Sequence, residues 1–507
     1  MKQTGDLLAQ LKYCIAGLTA PPIVALCNSV DSAAPLRQAA AMLETVALPV
    51  WFVVCAGVLA AIGLLDRVIG PSLRWVFRRR VNRAIDRLNA RLSLRIQPFK
   101  LTKRQVLIER LTYDAEVMRA VEIHAEETGA PREAVVAQVE GYAREIVPAF
   151  SAYAYFSIGA RVSKWIARTF YRVRLGAVEE EALGRINPDS TVIFVMNHRS
   201  NFDYLLVTFL AARASALSYA VGEWARVWPL SRIVRAMGAY FIRRKSRSPL
   251  YRKVLARYVH MATAAGVTQA VFPEGGLSRD GRLAPPKLGL LSYIVQGFDR
   301  EGERDVVFVP VGLNYDRVIE DRVLLSARDP EVGARAFRVS FASALRYSGR
   351  LLWRRLTGRF YRFGYACVSF GAPLSLQEFL AEQHEEDVVD ELARTLMNRV
   401  GDVIPVLPVS LLSEVFLGAT APLSELDLKR RTAETLDALL SRGAHCHLPR
   451  SSLDYAVDVG LRMLTMRRIV EETSKGFVIA EGEDEVLRYY ANAIGQHTRA
   501  SADPVPV

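Results

Sequence analysis

Residues 191–203 read TVIFVMNHRSNFD, from Thr191 to Asp203, and the fold class turns on how they are read. Thr191 to Met196 is apolar without alternation, as expected of a strand buried on both faces, and the turn cluster Asn187-Pro188-Asp189-Ser190 precedes it. A strand of that kind belongs to a parallel sheet covered by helices. Working outward, further apolar runs at Gln269–Phe272, Val306–Leu313 and Ala366–Phe370 alternate with helical patterns at Tyr204–Ala212 and Ser248–Ala264. Alternation of this kind predicts an α/β fold, a sheet wrapped by helices. The strand delivers His198 at its carboxyl end with Asp203 five residues later, at the sheet edge where α/β proteins place their sites.

The chain has 507 residues, 51% of them hydrophobic, and a formal net charge of +13. Its length exceeds what one hydrophobic core organises, so a catalytic domain with helical additions is expected. The basic balance favours an anionic partner and does not by itself choose between nucleic acid, lipid surface and phosphorylated substrate. The five cysteines show no CxxC pair, which points away from a disulfide framework and from a zinc site. His445, Cys446 and His447 are contiguous, a poor spacing for converging on one metal.

Thr45–Leu65 carries no charged residue and is long enough to cross a bilayer, although Pro49 keeps a re-entrant hairpin open. Arg67, Arg74, Arg78, Arg79, Arg80 and Arg83 follow it, with Trp75, Val76 and Phe77 among them. This predicts a cytoplasmic-membrane protein whose later residues face the cytoplasm, with a basic amphipathic stretch on anionic lipid. Its place beside an apolar span favours lipid over nucleic acid. The expected division is an N-terminal segment (1–44), a membrane anchor or re-entrant helix (45–66), a basic and helical region (67–165), a catalytic domain (166–375) and a helical C-terminal region (376–507). Within the third of these, residues 103–147 read as a solvated helical linker.

Four segments could carry chemistry. An Asp203 carboxylate returning from the first turn of the next helix would fix the His198 tautomer and leave the other ring nitrogen to take a proton from an alcohol. The same residues also fit a capped helix start with a histidine in a turn. Downstream, Gly238–Lys245 (GAYFIRRK) brings Arg243 and Arg244 together, guanidinium groups suited to a phosphate but equally at home in a solvated loop. Residues 272–281 (FPEGGLSRDG) run from strand to glycine-rich loop, with Glu274, Gly275, Gly276 and Arg279, where backbone N–H groups could approach an anion. Val309-Pro310-Val311 lies in a strand and alone reads as core.

Taken together and in this order, HRSNFDYLL, GAYFIRR, FPEGGLSR and VPV resemble the four motifs of the glycerolipid acyltransferase superfamily, most closely as they occur in bacterial glycerol-3-phosphate acyltransferases. Residues 359–374, ending in FGAPL, and RYYAN at 488–492 resemble the larger members of that group. The resemblance implies His198 as general base, Asp203 as its partner, and Arg243, Arg244, Glu274, Gly275, Gly276 and Arg279 around glycerol phosphate. Pro310 would lie on the acyl side. It implies acyl-CoA or acyl-acyl carrier protein as co-substrate, no cofactor and no metal. Leu277 stands where these enzymes usually carry arginine, which leaves a lysolipid acceptor, such as lysophosphatidate, as the alternative. A silent anionic-lipid-binding protein is the reading from another class.

Overall fold

The computed structural model describes residues 96–211, 216–222, 230–243, 246, 248–328, 353, 357, 361–383 and 387–498. The apolar stretch Thr45–Leu65, the arginine run after it, and Arg244 lie outside the described residues. Among the described residues no helix is long and apolar enough to cross a membrane.

An eight-stranded sheet organises the chain. Its strands are β1 (Arg172–Val178), β2 (Thr191–Met196), β3 (Ser218–Val221), β4 (Tyr240–Phe241), β5 (Gln269–Val271), β6 (Val306–Tyr315), β7 (Tyr365–Phe370) and β8 (Leu374–Ser375). They are ordered β1-β7-β6-β2-β5-β3-β4, with β8 beside β6. β6, β2, β5, β3 and β4 are mutually parallel, while β7 and β8 run antiparallel to β6. β2 is central, and its burial on both faces explains why its sequence does not alternate.

Side-chain alternation divides β2 between two cores. Val192, Phe194 and Met196 join one hydrophobic cluster, and Ile193 and Val195 join the other. On the second face pack α1 (Arg104–Thr112), α2 (Ala115–Thr128) and α3 (Arg132–Ile146), through Leu107, Leu111, Val117, Val121, Val135 and Val139. These helices were expected as a solvated linker. Their apolar residues recur at three- and four-residue spacing and pack inward, so the segment is a layer of the domain, with Glu122, Glu126 and Glu127 turned outward and Asp114 and Glu145 paired with Arg257 and Arg243.

α4 (Ala160–Phe170) leads into β1, α5 (Asp203–Ala211) follows β2, and α6 (Leu230–Ala236) precedes β4. α7 (Pro249–Ala264) is capped by Ser248, whose hydroxyl accepts from Tyr251 N, with proline at the first helical position. α8 (Gly289–Gln296) and α9 (Asp321–Ser326) flank β6. The C-terminal region supplies α10 (Leu376–Glu382), α11 (Val388–Asp402), α12 (Pro408–Leu417), α13 (Glu425–Ser441), α14 (Leu453–Met466), a hairpin of β9 (Val470–Thr473) and β10 (Gly476–Ile479), and α15 (Asp484–Ala491). α11 contributes Leu392, Leu396 and Val400 to one core, while Leu412, Leu487 and Tyr490 from α12 and α15 enter the other. The C-terminal helices therefore continue both cores. Cys446 pairs with Val406 through a backbone bridge, and no group of three metal-capable side chains is present among the described residues.

Candidate active site

β2, β5 and β4 all end at the same edge of the sheet, and each releases one of the candidate segments there. Beyond Met196 the chain stays in line because Asn197 substitutes for a strand residue: its amide donates to Leu313 O (2.9 Å) and accepts from Leu313 N (2.8 Å). His198 consequently leaves the sheet in a fixed direction.

Its ring is buried, 2% exposed, with Nδ1 at 2.9 Å from Asp203 Oδ2. That same oxygen accepts from Arg199 N (2.7 Å) and Ser200 N (3.0 Å), and Oδ1 accepts from the Tyr315 hydroxyl (2.5 Å). Four donors converge on Asp203, which is thereby held as an acceptor, so Nδ1 carries the proton and Nε2 has the free lone pair. Phe272 stacks on the imidazole with centroids 4.3 Å apart, and the Tyr204 hydroxyl lies 3.5 Å from Nε2. Burial and the charge of Asp203 push the Tyr315 phenol well above its usual range, so it remains a donor.

Glu274 reaches into the same loop. Its Oε1 accepts from His198 N (2.6 Å) and its Oε2 from Ala284 N (3.0 Å), tying the β2 loop to the β5 loop. Burial raises its carboxyl to about 7 against the pull of those two amides. Ser278 N donates to His198 O (3.0 Å), a second tie between the same loops. The amides of His198, Arg199 and Ser200 are thus all committed to carboxylates. Gly275 adopts φ +67°, and a Cβ there would meet the Lys287 side chain at 2.7 Å, so Lys287 lies along the glycine loop. Gly276 continues that loop, half-buried, and Leu277 packs against the core.

The remaining candidates are dispersed. Arg243 follows β4, three strands from β2 and so about 14 Å across the sheet. Its Nε (3.0 Å) and Nη2 (2.7 Å) donate to the Glu145 carboxylate, and its guanidinium lies over the rings of Tyr142 and Tyr251. Nη1 makes no hydrogen bond among the described residues. Arg279 is exposed and donates to Ala327 O (3.2 Å). Pro310 alternates with Val309 and Val311, which places it on the sheet face opposite His198. There its carbonyl accepts from Gly371 N (2.9 Å), and Val403 closes over Gly371. His198, Asp203, Glu274 and Gly275 are therefore gathered into one cluster, while Arg243 is held away from it by Glu145 and Arg279 is held by Ala327 O.

Sequence reasoning missed Tyr315, Lys287, Glu145 and Glu320. The Glu320 carboxylate accepts from the Ser200 hydroxyl (2.7 Å) and from Asn201 N (3.3 Å), and burial raises its carboxyl above the ordinary range. Tyr315, Glu145 and Glu320 lie 112, 98 and 120 residues from Asp203, Arg243 and Ser200, and Lys287 reaches Gly275 only through the folded loop, so no local pattern announces them.

Comparison with known proteins agrees with this architecture. Residues 177–314 match the Acyltransferase family and residues 351–500 match the glycerol-3-phosphate acyltransferase C-terminal region. A glycerol-3-phosphate acyltransferase of Aeromonas hydrophila is 28% identical, over 78% of this chain and 50% of its own length. One from Pseudomonas putida is 26% identical over 78% and 49%, and one from Pseudomonas syringae 30% over 58% and 34%. This chain thus spans about half the length of the curated relatives it matches. The solved 1-acyl-sn-glycerophosphate acyltransferase of Thermotoga maritima aligns with 58% of this chain and 95% of its own at a TM-score of 0.30 and 16% identity, too distant a likeness for inference. The chain carries an Acyltransferase-family domain followed by a glycerol-3-phosphate acyltransferase C-terminal region, and is similar to bacterial glycerol-3-phosphate acyltransferases.

Proposed function

We propose that this chain transfers a fatty acyl group from acyl-CoA or acyl-acyl carrier protein to a hydroxyl of glycerol 3-phosphate, an early step of phospholipid synthesis. The observation that carries this reading is the buried His198–Asp203 pair, whose geometry leaves Nε2 as the proton acceptor. A substrate hydroxyl approaching Nε2 beside Tyr204 loses its proton to the imidazole as its oxygen attacks the thioester carbonyl. The tetrahedral intermediate then expels the thiolate, which recovers that proton from the imidazolium. No protein nucleophile is required. The names of the relatives support glycerol 3-phosphate as acceptor. Purified protein in detergent, given an acyl thioester, should release thiol at a rate that depends on glycerol 3-phosphate, and release independent of it would contradict the reading.

The phosphate would be met along the glycine loop, where the Gly275 amide is already committed to Phe272 O (3.0 Å), leaving the Gly276 amide and the Arg279 side chain, with Arg243 and Arg244 as further cations on the β4 side. Leu277 offers nothing to an anion, and this favours lysophosphatidate or another lysolipid as the second reading. Lys287, lying along Gly275, is the cation that compensates under the first. Lys287→Ala should therefore raise KM for glycerol 3-phosphate by about tenfold with kcat little changed, as loss of a charged hydrogen bond predicts. Steady-state kinetics with varied acceptor checks this.

Membrane association belongs to the same proposal, since the acyl product is a lipid. Ile158, Val162 and Trp165 are each about half exposed or more along α4 and the turn before it. Arg161, Lys164 and Arg168 flank them, and none forms an ion pair among the described residues. Apolar stripe and cationic flank suit the surface of an anionic bilayer on the cytoplasmic side. Combined Val162→Ala and Trp165→Ala substitution should weaken partition into phosphatidylglycerol vesicles by about tenfold, from the lost apolar burial. Unchanged sedimentation with vesicles would remove this part of the proposal.

A further inference from the structure

We propose that the C-terminal region is a working part of the catalytic site, coupled to the His198 loop through Glu320 and Asp321, with Glu320 as a positioning residue. These two carboxylates are adjacent in sequence and face opposite ways. Glu320 takes the catalytic loop: Oε2 accepts from Ser200 Oγ (2.7 Å), and Oε1 from Asn201 N (3.3 Å) and Nδ2 (3.2 Å). Asp321 takes the C-terminal region: its Oδ2 accepts from the Tyr490 hydroxyl (2.6 Å) and from the Arg467 guanidinium. Tyr490 closes the network, accepting from Arg467 Nη1 (2.8 Å) and from Val318 N (3.0 Å). Asp321 and Tyr490 are buried, so every member is fixed by a partner and none can relax into water.

A second strap runs in parallel. The Arg199 guanidinium, 2% exposed, donates to Gly281 O and to Ala493 O (3.0 Å). Asn492 Nδ2 donates to Asp280 O (2.8 Å). At Gly281, φ +84°, a Cβ would lie 1.9 Å from Tyr489 O, so the end of α15 presses directly on the loop that carries Glu274. Residues 489–493 thus brace both loops of the site. The consequence for catalysis is geometric. Asp203 holds the amides of Arg199 and Ser200 on the same oxygen that orients His198, so a loop released at Ser200 or Arg199 shifts that oxygen and turns the imidazole.

The consequence for turnover rests on the acyl-transfer reading, but the coupling itself does not. The test uses the full chain with Tyr490→Phe, Glu320→Ala and their double variant, plus Glu320→Gln, which keeps an acceptor for Asn201 and can donate to Ser200. Hydrogen–deuterium exchange of a peptide spanning 197–205 should rise in Tyr490→Phe although the hydroxyl removed bonds only Asp321, Arg467 and Val318 among the described residues. Turnover should fall by about tenfold with KM for glycerol 3-phosphate unchanged, and the double variant should be no worse than Glu320→Ala alone. Glu320→Gln should recover most of the loss. Unchanged exchange in the 197–205 peptide, or losses that multiply in the double variant, would overturn the coupling. If Tyr490→Phe does not fold, Arg467→Lys serves in its place with the same expected exchange. Wild-type protein without acceptor-dependent thiol release would instead defeat the functional reading, and the exchange result would still decide this one.

Discussion

Replacing His198 with alanine will lower kcat by roughly a hundred- to ten-thousandfold, the range that a positioned general base supplies, while leaving KM for the acceptor close to wild type. The fold should tolerate the change. Asp203 keeps the Arg199 and Ser200 amides and the Tyr315 hydroxyl after the imidazole is gone, so no buried charge is left without partners. The lost packing against Phe272 costs about 1–3 kcal/mol, typical of a buried truncation. Thermal unfolding separates this modest loss from the kinetic one. Activity surviving at wild-type level in a folded His198→Ala protein would remove the proposed base.

The second large effect is expected at Asp203. Asparagine is isosteric and can turn its carbonyl oxygen toward one set of donors only. With that oxygen kept on the Arg199 and Ser200 amides, the amide nitrogen faces Tyr315, whose hydroxyl must rotate to accept. In the opposite orientation a donor faces His198 Nδ1, which forces the proton onto Nε2 and abolishes the base. Either way the negative charge that stabilises the imidazolium is lost. Asp203→Asn should lower kcat by roughly a thousandfold or more with little change in KM, as loss of a triad-type carboxylate does. Comparing Tyr315→Phe, expected to be much milder, tests whether the charge or the network around it carries the effect.

What could be read from the sequence, and what could not, follows from the range of the forces involved. β2, β5, β6 and β7 are predominantly apolar and do not alternate because both faces are covered, and such runs declare themselves. The His198–Asp203 pair was legible because five residues of loop and helix start suffice to bring its members together. β3 and β4 are four and two residues long, too short to impose a pattern, and β1 is half exposed at the sheet edge. Residues 103–147 were misread because their charged face dominates the composition while a narrower apolar face does the packing.

Arg243 shows the limit most clearly. Its place beside the sheet edge was predictable, but its bidentate hold on Glu145 joins residues 98 apart, and only the packing of α3 against β4 creates it. Glu320 is similar: nothing near it in sequence signals that it reaches back to Ser200. The acceptor question is of another kind. Leu277 removes one cation from the expected pattern, and the cation we propose in its place, Lys287, lies beside Gly275 only once the loop is folded.

Acylation of glycerol 3-phosphate at this site is tested most directly by comparing acceptors with the purified full chain. With one acyl thioester held saturating, kcat/KM is measured for glycerol 3-phosphate, dihydroxyacetone phosphate and lysophosphatidate. Glycerol 3-phosphate is predicted to be preferred over lysophosphatidate by at least about tenfold, the value of one well-placed charged contact. A preference of similar size for lysophosphatidate would rule out glycerol 3-phosphate as the acceptor and make Leu277 the residue that sets it.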